Sequence, residues 1–425
     1  MKIGVVIGRI GGVDGVALET EKWIAALERM GHEVCVVAGQ ASEDVQNVTL
    51  LPHIAFDHPR NVDAQEKAFF GQGTDEDQLM AELEADTQLI QEGILRWIDK
   101  EGVQFLVSAN ASSLPFHLTL GWAVKRVLDH TQLPMVSNDH DYWWERGDRY
   151  ETPYPAVAQV LEESYPIRSP RVLHAVVNTP AKQALADRLG ITNAEVVPVV
   201  MDFDEPFGLP DDYNEDLRQS LGLDPDDIPL FQITRIVRRK GIETAIDLLH
   251  QLKNPRVKLV ITGTAKDERG DVYINELRER AHRLGLKRQV LFAGDRFDNH
   301  RRLADGRKIY SLSDGYAHAV ACTYFSLYEA FGNAFIEAVV AKVPIFLNNY
   351  QPAYWSDIGS LGFQTVQIDD GELTDKAVAQ VAAVLADPQR QRDMAEHNFE
   401  LGRRHFSCRA LERILQRIFP APQPI

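Results

Sequence analysis

Two glutamates bracket a glycine-containing turn in "YEAFGNAFIEAVVAK". Glu329 precedes Phe331, Gly332 and Asn333, and Glu337 follows eight positions after the first. An ionised carboxylate only accepts hydrogen bonds, so neighbouring hydroxyls of one sugar can donate to its two oxygens. The residues after the turn have helical spacing, which places the backbone N–H groups of Phe331, Gly332 and Asn333 where a helix start favours an anion. Gly332 permits close approach of a ligand to the chain. Each glutamate taken singly also fits a simpler role, complementing the helix dipole.

A second cluster lies upstream in "TRIVRRKGIETAIDLL". Arg235, Arg238, Arg239 and Lys240 fall between a strand-like run and a helix whose apolar stripe is Ile242, Ala245, Ile246 and Leu249. Cations at a helix start oppose the positive end of its dipole, and a phosphate-bearing ligand removes that conflict. A solvated surface turn would carry the same charges. Taken together, the two clusters suit a ligand with both phosphates and hydroxyls, such as a nucleotide sugar.

A third motif, "SNDHDYWWERGDRY", follows another apolar run. It puts His140 at a strand end, followed by Asp141, Tyr142, Trp143 and Trp144. The aromatic rings can stack on a sugar or pack beneath the loop. Arg146 and Arg149 carry planar forks that match a carboxylate or phosphate on an acceptor. Near the start, Gly12 in "GRIGGVDG" either lets the backbone approach a ligand or closes a tight turn. That run is not a GxGxxG fingerprint. The second strand, ending "VVAGQ", lacks the acidic residue that a nicotinamide ribose needs, which counts against a dinucleotide oxidoreductase.

These motifs require strands that deliver them to one edge, and the chain supplies such strands. "KIGVVIG", "EVCVVAG", "VQFLVSA", "PMVSN" and "RVLHAVV" are short continuous apolar runs, as in parallel strands buried on both faces, and helical patterns separate them. In the first helix Val16, Thr20, Trp23, Ile24 and Leu27 share one face. Residues 201 to 228 are rich in Asp and Pro and read as a domain boundary. Alternation then resumes with "LFQIT", "VKLVITG", "QVLFAG", "AVACTY" and "VPIFLNN", and the tail from about 374 is helical. The expected fold is α/β: two Rossmann-like doubly wound domains facing a central cleft, residues 1–200 and 201–400, with a helical segment 401–425 packing back on the first.

Composition narrows the function. The chain has 425 residues and a formal net charge of −17, a field that repels nucleic acid and anionic membranes. A local basic cluster in such a chain points to a small anionic ligand. Three scattered cysteines, Cys35, Cys322 and Cys408, form neither a disulfide framework nor a zinc site. No apolar run reaches the ~18 residues of a membrane span, and the opening is too short for a secretion signal, so a soluble cytoplasmic protein is expected. Nothing in the sequence sets an oligomeric state.

The glutamate pair around "FGN", the upstream "TRIVRRKGIETAI" and the glycine-rich opening resemble the retaining nucleotide-sugar glycosyltransferases of family 4, which have the GT-B fold. The likeness spans nearly the whole chain and is most specific in its second half. Ala330 stands where the family commonly has glycine, and Phe325 where it usually has proline. The resemblance implies that Arg235 and Lys240 hold the donor diphosphate and Glu337 the ribose. Gly12 and the turn at Phe331, Gly332 and Asn333 would also contact the donor. Glu329 and His140 would lie at the transferred sugar as the catalytic residues, and Asp141, Tyr142, Arg146 and Arg149 would meet the acceptor. It implies no metal and no cofactor, the nucleotide sugar being a substrate. Within the family, "GRIGGVDGVALETEKW", "SNDHDYWWERGDRY" and "YEAFGNAFIEA" together are most similar to a subgroup implying GDP-mannose and a small anionic acceptor such as glucosylglycerate. A UDP-glucose-dependent transfer to a phosphosugar, and a non-catalytic sugar-nucleotide-binding protein, are the alternatives.

Overall fold

Strands covered on both faces by helices must be apolar along their length, and the apolar runs form two parallel sheets. The computed structural model describes residues 1–12, 14–43, 45–71, 73–264 and 272–420. The chain divides into two units, Met1–Val199 with Leu411–Ile425, and Val200–Ala410.

In the first unit seven parallel strands run in the order Val48–Leu50, Glu33–Ala41, Lys2–Ile10, Phe105–Ala109, Met135–Asp139, Val172–Val176 and Ala194–Val196. The order turns back between Lys2–Ile10 and Phe105–Ala109, the switch point at which doubly wound sheets open a crevice at their carboxyl ends. Gly11, Gly12 and Asn110 stand there. The first helix, Gly15–Arg29, buries Thr20, Trp23 and Leu27, whereas Val16 and Ile24 are only half-buried. Asp14 caps it by accepting from the Val16 and Ala17 N–H groups. A 26-residue helix, Glu76–Glu101, packs Ile90, Ile94 and Trp97 into the core under the sheet. Near the C-terminus Phe419 meets Phe105 and His32, and Glu412 and Arg417 pair with Arg29 and Glu195.

The second unit repeats the plan with six parallel strands, ordered Val290–Phe292, Val257–Ile261, Ile228–Gln232, Ala321–Tyr324, Ile345–Asn348 and Val366–Ile368. Its switch point lies between Ile228–Gln232 and Ala321–Tyr324. The Asp- and Pro-rich stretch after Val200 belongs to this unit. Asn214, fully buried, donates to Asp314 at 2.8 Å, and Asp216 accepts from Lys308 and Tyr310. A small sheet of Phe297–Asp298, Arg302–Ala304 and Arg307–Ser311 is added beside the main one. Among the described residues no helix is long and apolar enough to cross a membrane.

Candidate functional site

The second unit's switch point assembles the basic cluster and one glutamate. A short 3₁₀ turn, Arg238–Lys240, follows the strand, and Gly241 leads into the helix Ile242–Leu252. Gly241 has φ +58°, and a Cβ there would meet the Phe325 carbonyl oxygen at 2.1 Å, so only glycine lets this loop lie against the neighbouring one. Lys240 is thereby buried. Its ammonium pairs with Glu329 and lies 5.4 Å from the Tyr324 ring centroid. Arg239 reaches the other Glu329 oxygen at 2.9 Å. Buried Gln232 links the two sides of the switch, accepting from Thr323 at 2.7 Å while its amide donates to Thr234 and to the Lys240 carbonyl.

Burial alone would raise the Glu329 carboxyl, but the Lys240 and Arg239 charges overcome it and hold it below the usual glutamate range. Burial lowers the Lys240 ammonium, Glu329 opposes that, and the Arg239 and Arg235 charges add to the lowering. Two cations therefore meet one carboxylate, with the Arg235 charge close enough to act on Lys240, an excess of positive charge suited to an anionic ligand. Arg238 is directed elsewhere, to Glu276 at 2.7 Å and over the Tyr273 ring.

The helix Asn333–Val340 begins beside this cluster, because Gly332 (φ +114°) turns the chain and a Cβ there would meet the Tyr350 hydroxyl at 2.4 Å. Phe331 is buried and its carbonyl accepts from Tyr350, whereas Asn333 is exposed. Glu337 is the fifth residue of this helix and accepts from the Tyr316 hydroxyl at 2.9 Å.

The sequence gives no sign of a cavity of about 590 Å³ at the carboxyl ends of three strands in this unit, lined by Thr234, Arg235, Thr264, Asp295, Asn299 and Arg302 among others. Gly263 and Gly294 let those strand ends converge: a Cβ on either would meet backbone oxygen at 2.0 or 2.2 Å.

In the first unit, His140 follows the strand Met135–Asp139, its N–H donating to the Asn110 side chain at 3.0 Å. Its Nε2 is buried and has no hydrogen-bond partner among the described residues. Burial pushes this imidazole below the ordinary histidine range, against Glu19 and the nearby aspartates, so it is neutral at pH 7. Gly11 and Gly12 both have positive φ, and a Cβ on Gly12 would meet nothing within 4 Å, which leaves that side of the turn open.

Tyr142 departs from its expected place. It is fully buried, stacked on Trp144 at 4.6 Å, with its hydroxyl on Asp139 at 3.0 Å, so its ring is not offered to an acceptor. The tryptophans pack likewise, Trp143 donating to the Tyr165 carbonyl at 2.9 Å. Arg146 is paired with Asp141. Arg149 is exposed, lies over the Phe70, Phe116 and Tyr150 rings at 5.5, 5.5 and 5.4 Å, and among the described residues pairs with no carboxylate. Among the described residues no group of three His, Cys, Asp or Glu side chains could hold a metal ion.

The donor-like cluster and cavity fall within residues 214–400, which match the family model "Glycosyl transferases group 1". Mannosylglucosylglycerate synthase of Thermotoga maritima is 33% identical to this chain, covering 98% of it and 99% of the relative. The chain belongs to the group 1 glycosyl transferases. A second relative, mannosylglucosylglycerate synthase of Petrotoga mobilis, is 29% identical over 96% of this chain and 98% of its own. Among solved structures, a glycosyltransferase from Rickettsia africae superposes with a TM-score of 0.68 over 98% of this chain and 97% of that one, at 14% identity. The fold is GT-B, and the chain is a glycosyltransferase. Within the matched residues, Lys240 and Arg239 both meet Glu329, and Arg235 lines the cavity.

Proposed function

We propose that the chain moves mannose from GDP-mannose to a small anionic acceptor of the glucosylglycerate type, retaining anomeric configuration. The observation that carries this reading is the full-length likeness to two mannosylglucosylglycerate synthases. The site's chemistry agrees with it. Arg235, Arg239 and Lys240 outweigh Glu329 in charge, as a diphosphate requires. Guanine presents N–H donors at N1 and N2, and the cavity beside Arg235 offers Asp295 and Asn299 as acceptors.

In the transfer, the bond from sugar C1 to the diphosphate oxygen breaks and its electron pair leaves with the phosphate. Lys240, Arg235 and the amides at Phe331, Gly332 and Asn333 meet that developing charge. The acceptor hydroxyl bonds to C1 from the same face and passes its proton to the departing phosphate. Glu329, already engaged by two cations, accepts from sugar hydroxyls and is not a covalent nucleophile. Glu337 accepts from the ribose. Neutral His140 makes a hydrogen bond to the transferred sugar, and Arg149 meets the acceptor carboxylate. No metal or cofactor has a role in this scheme.

The test is to incubate the protein with GDP-mannose or UDP-glucose, each with glucosylglycerate or a phosphosugar, and to follow nucleoside diphosphate release and product configuration by NMR. GDP release with an α-linked mannosyl product is expected. Turnover of UDP-glucose alone would replace the reading with a glucosyl one, and binding without turnover would make the chain a sugar-nucleotide sensor.

A further inference from the structure

Asp139 precedes His140 in the chain and takes no part in the scheme above, yet its side chain organises the strand end from which His140 projects. Only 1% exposed, it accepts from Ser137 at 2.6 Å, Tyr142 at 3.0 Å and His174 Nδ1 at 2.8 Å. Ser137 continues to Ser112 and Ser108, each step 3.0 Å and each residue fully buried.

The register explains the meeting. Ser137 lies opposite His174 and Asp139 opposite Val176 on the adjacent strand, and side chains two apart share a sheet face. His174 Nε2 faces the Ile167 carbonyl at 3.2 Å. The Asp139 carboxylate and the Ile167 carbonyl thus face the two ring nitrogens and hold the imidazole at both ends. A buried pair of this kind is weak as a source of stability, but its directional bonds fix orientation. Asn110, held at φ +54°, takes the next backbone N–H, that of His140. His140 is thus pinned on both sides while its own Nε2 stays unpartnered among the described residues.

We propose that the Asp139–His174 pair is a positioning device that holds the His140 imidazole in the orientation used for sugar transfer. This rests on the reading of His140 as a residue at the transferred sugar. Neither Asp139 nor His174 touches a substrate.

The experiment is a double-mutant cycle on the full chain: His174→Gln and Tyr142→Phe, each alone and combined with His140→Ala, with transfer kinetics and thermal denaturation read in parallel. Tyr142→Phe removes one hydrogen bond and leaves the Asp139–His174 contact whole, so it carries the test if His174→Gln does not fold. Misplacing a catalytic group by about 1 Å can cost ~100-fold in rate, so His174→Gln is expected to lower kcat by up to about 100-fold and Tyr142→Phe by about 5–10-fold, with donor KM little changed. In the His140→Ala background both losses shrink to less than about twofold, because residues acting through one group are not additive. Equal losses in both backgrounds, or none, would overturn the inference. Wild-type kcat in His140→Ala would overturn it together with the role of His140. A wild-type chain that transfers no sugar from any nucleotide donor would mark failure of the proposed function, and this inference would fall with it.

Discussion

Lys240 and Glu329 form a buried ion pair where the strand order of the second sheet turns back, with both side chains 10% exposed. Eighty-nine residues apart in sequence, they are joined because the loops after two adjacent parallel strands open on the same edge. Removing one partner of a buried pair costs about 3–5 kcal/mol when the other charge is left alone. Here Arg239 remains on Glu329, so Lys240→Met should cost less, about 2 kcal/mol by urea denaturation. If the donor is GDP-mannose as proposed, GDP should stabilise the parent protein by about 2.7 kcal/mol at 100 times its dissociation constant, and the same variant should abolish that gain. An unchanged GDP-induced shift in Lys240→Met would remove the lysine from the donor site.

His117 makes the first unit acid-sensitive. It caps the helix Leu118–Thr131 with Nδ1 accepting from the Leu120 N–H, while Nε2 donates to the His53 carbonyl at 2.8 Å. Protonating Nδ1 breaks the cap, and burial pushes this imidazole down to about 4. The unfolded chain binds a proton near pH 6.5 that the folded chain refuses until about pH 4, so stability is full above 6.5 and falls as pH drops through that window. Between pH 7 and 5 the loss from this group is about 2 kcal/mol. His117→Asn, a non-titrating cap, should flatten that part of the pH profile. Tryptophan fluorescence is the suitable probe, since Trp23, Trp97, Trp122, Trp143 and Trp144 lie in this unit and only Trp355 in the other.

The central strands are legible in the sequence because burial on both faces leaves continuous apolar runs such as "KIGVVIG" and "VKLVITG". The edge strands Val48–Leu50, Ala194–Val196 and Val366–Ile368 are not, since each has a polar middle residue that breaks the run, whereas the equally short edge strand Val290–Phe292 is apolar throughout and is legible in "QVLFAG". The helix Glu76–Glu101 does carry a readable stripe, Leu79, Leu83, Thr87 and Ile90, which the sequence reading leaves unused. At the site, the loop clusters are legible because polar residues directly after apolar strands have few other uses. What they touch is not. Arg238 is diverted to Glu276, Tyr142 is turned inward to Asp139, and Asp139 finds His174 only through strand register. Each of these depends on which strands become neighbours, information that local spacing does not contain.

Gly241→Ala tests the loop that presents Lys240. The substitution forces a Cβ toward the Phe325 carbonyl oxygen at 2.1 Å, in a left-handed conformation. A non-glycine residue with incompatible φ costs about 1 kcal/mol or more, and the clash with a backbone atom adds to that. The loop must shift, taking Lys240 away from Glu329. Donor KM should rise at least about tenfold in Gly241→Ala, while Gly285→Ala, also at positive φ but with nothing within 4 Å of its Cβ, should lose only stability. Equal donor KM in the two variants would show that the loop's close approach is irrelevant to donor binding.

Arg146 and Arg149 stand three residues apart in one loop and face different electrostatic surroundings. Asp141 neutralises Arg146 at 2.5 Å, whereas Arg149 lies against the Phe70, Phe116 and Tyr150 rings, which hold its plane without cancelling its charge. An acceptor carboxylate therefore gains more from Arg149. Arg149→Ala should raise acceptor KM by about 10–100-fold, the loss of a charge-assisted pair worth about 1.5–3 kcal/mol, with donor KM unchanged. Arg146→Ala should change it by less than about threefold, because that guanidinium is already paired. Arg149→Lys should fail to restore the parent value, since a compact ammonium neither stacks on the rings nor forks to two carboxylate oxygens. Initial-rate kinetics with the acceptor varied at saturating donor decide the matter: a larger effect at Arg146 than at Arg149 would place the acceptor's acid group on the other side of the loop.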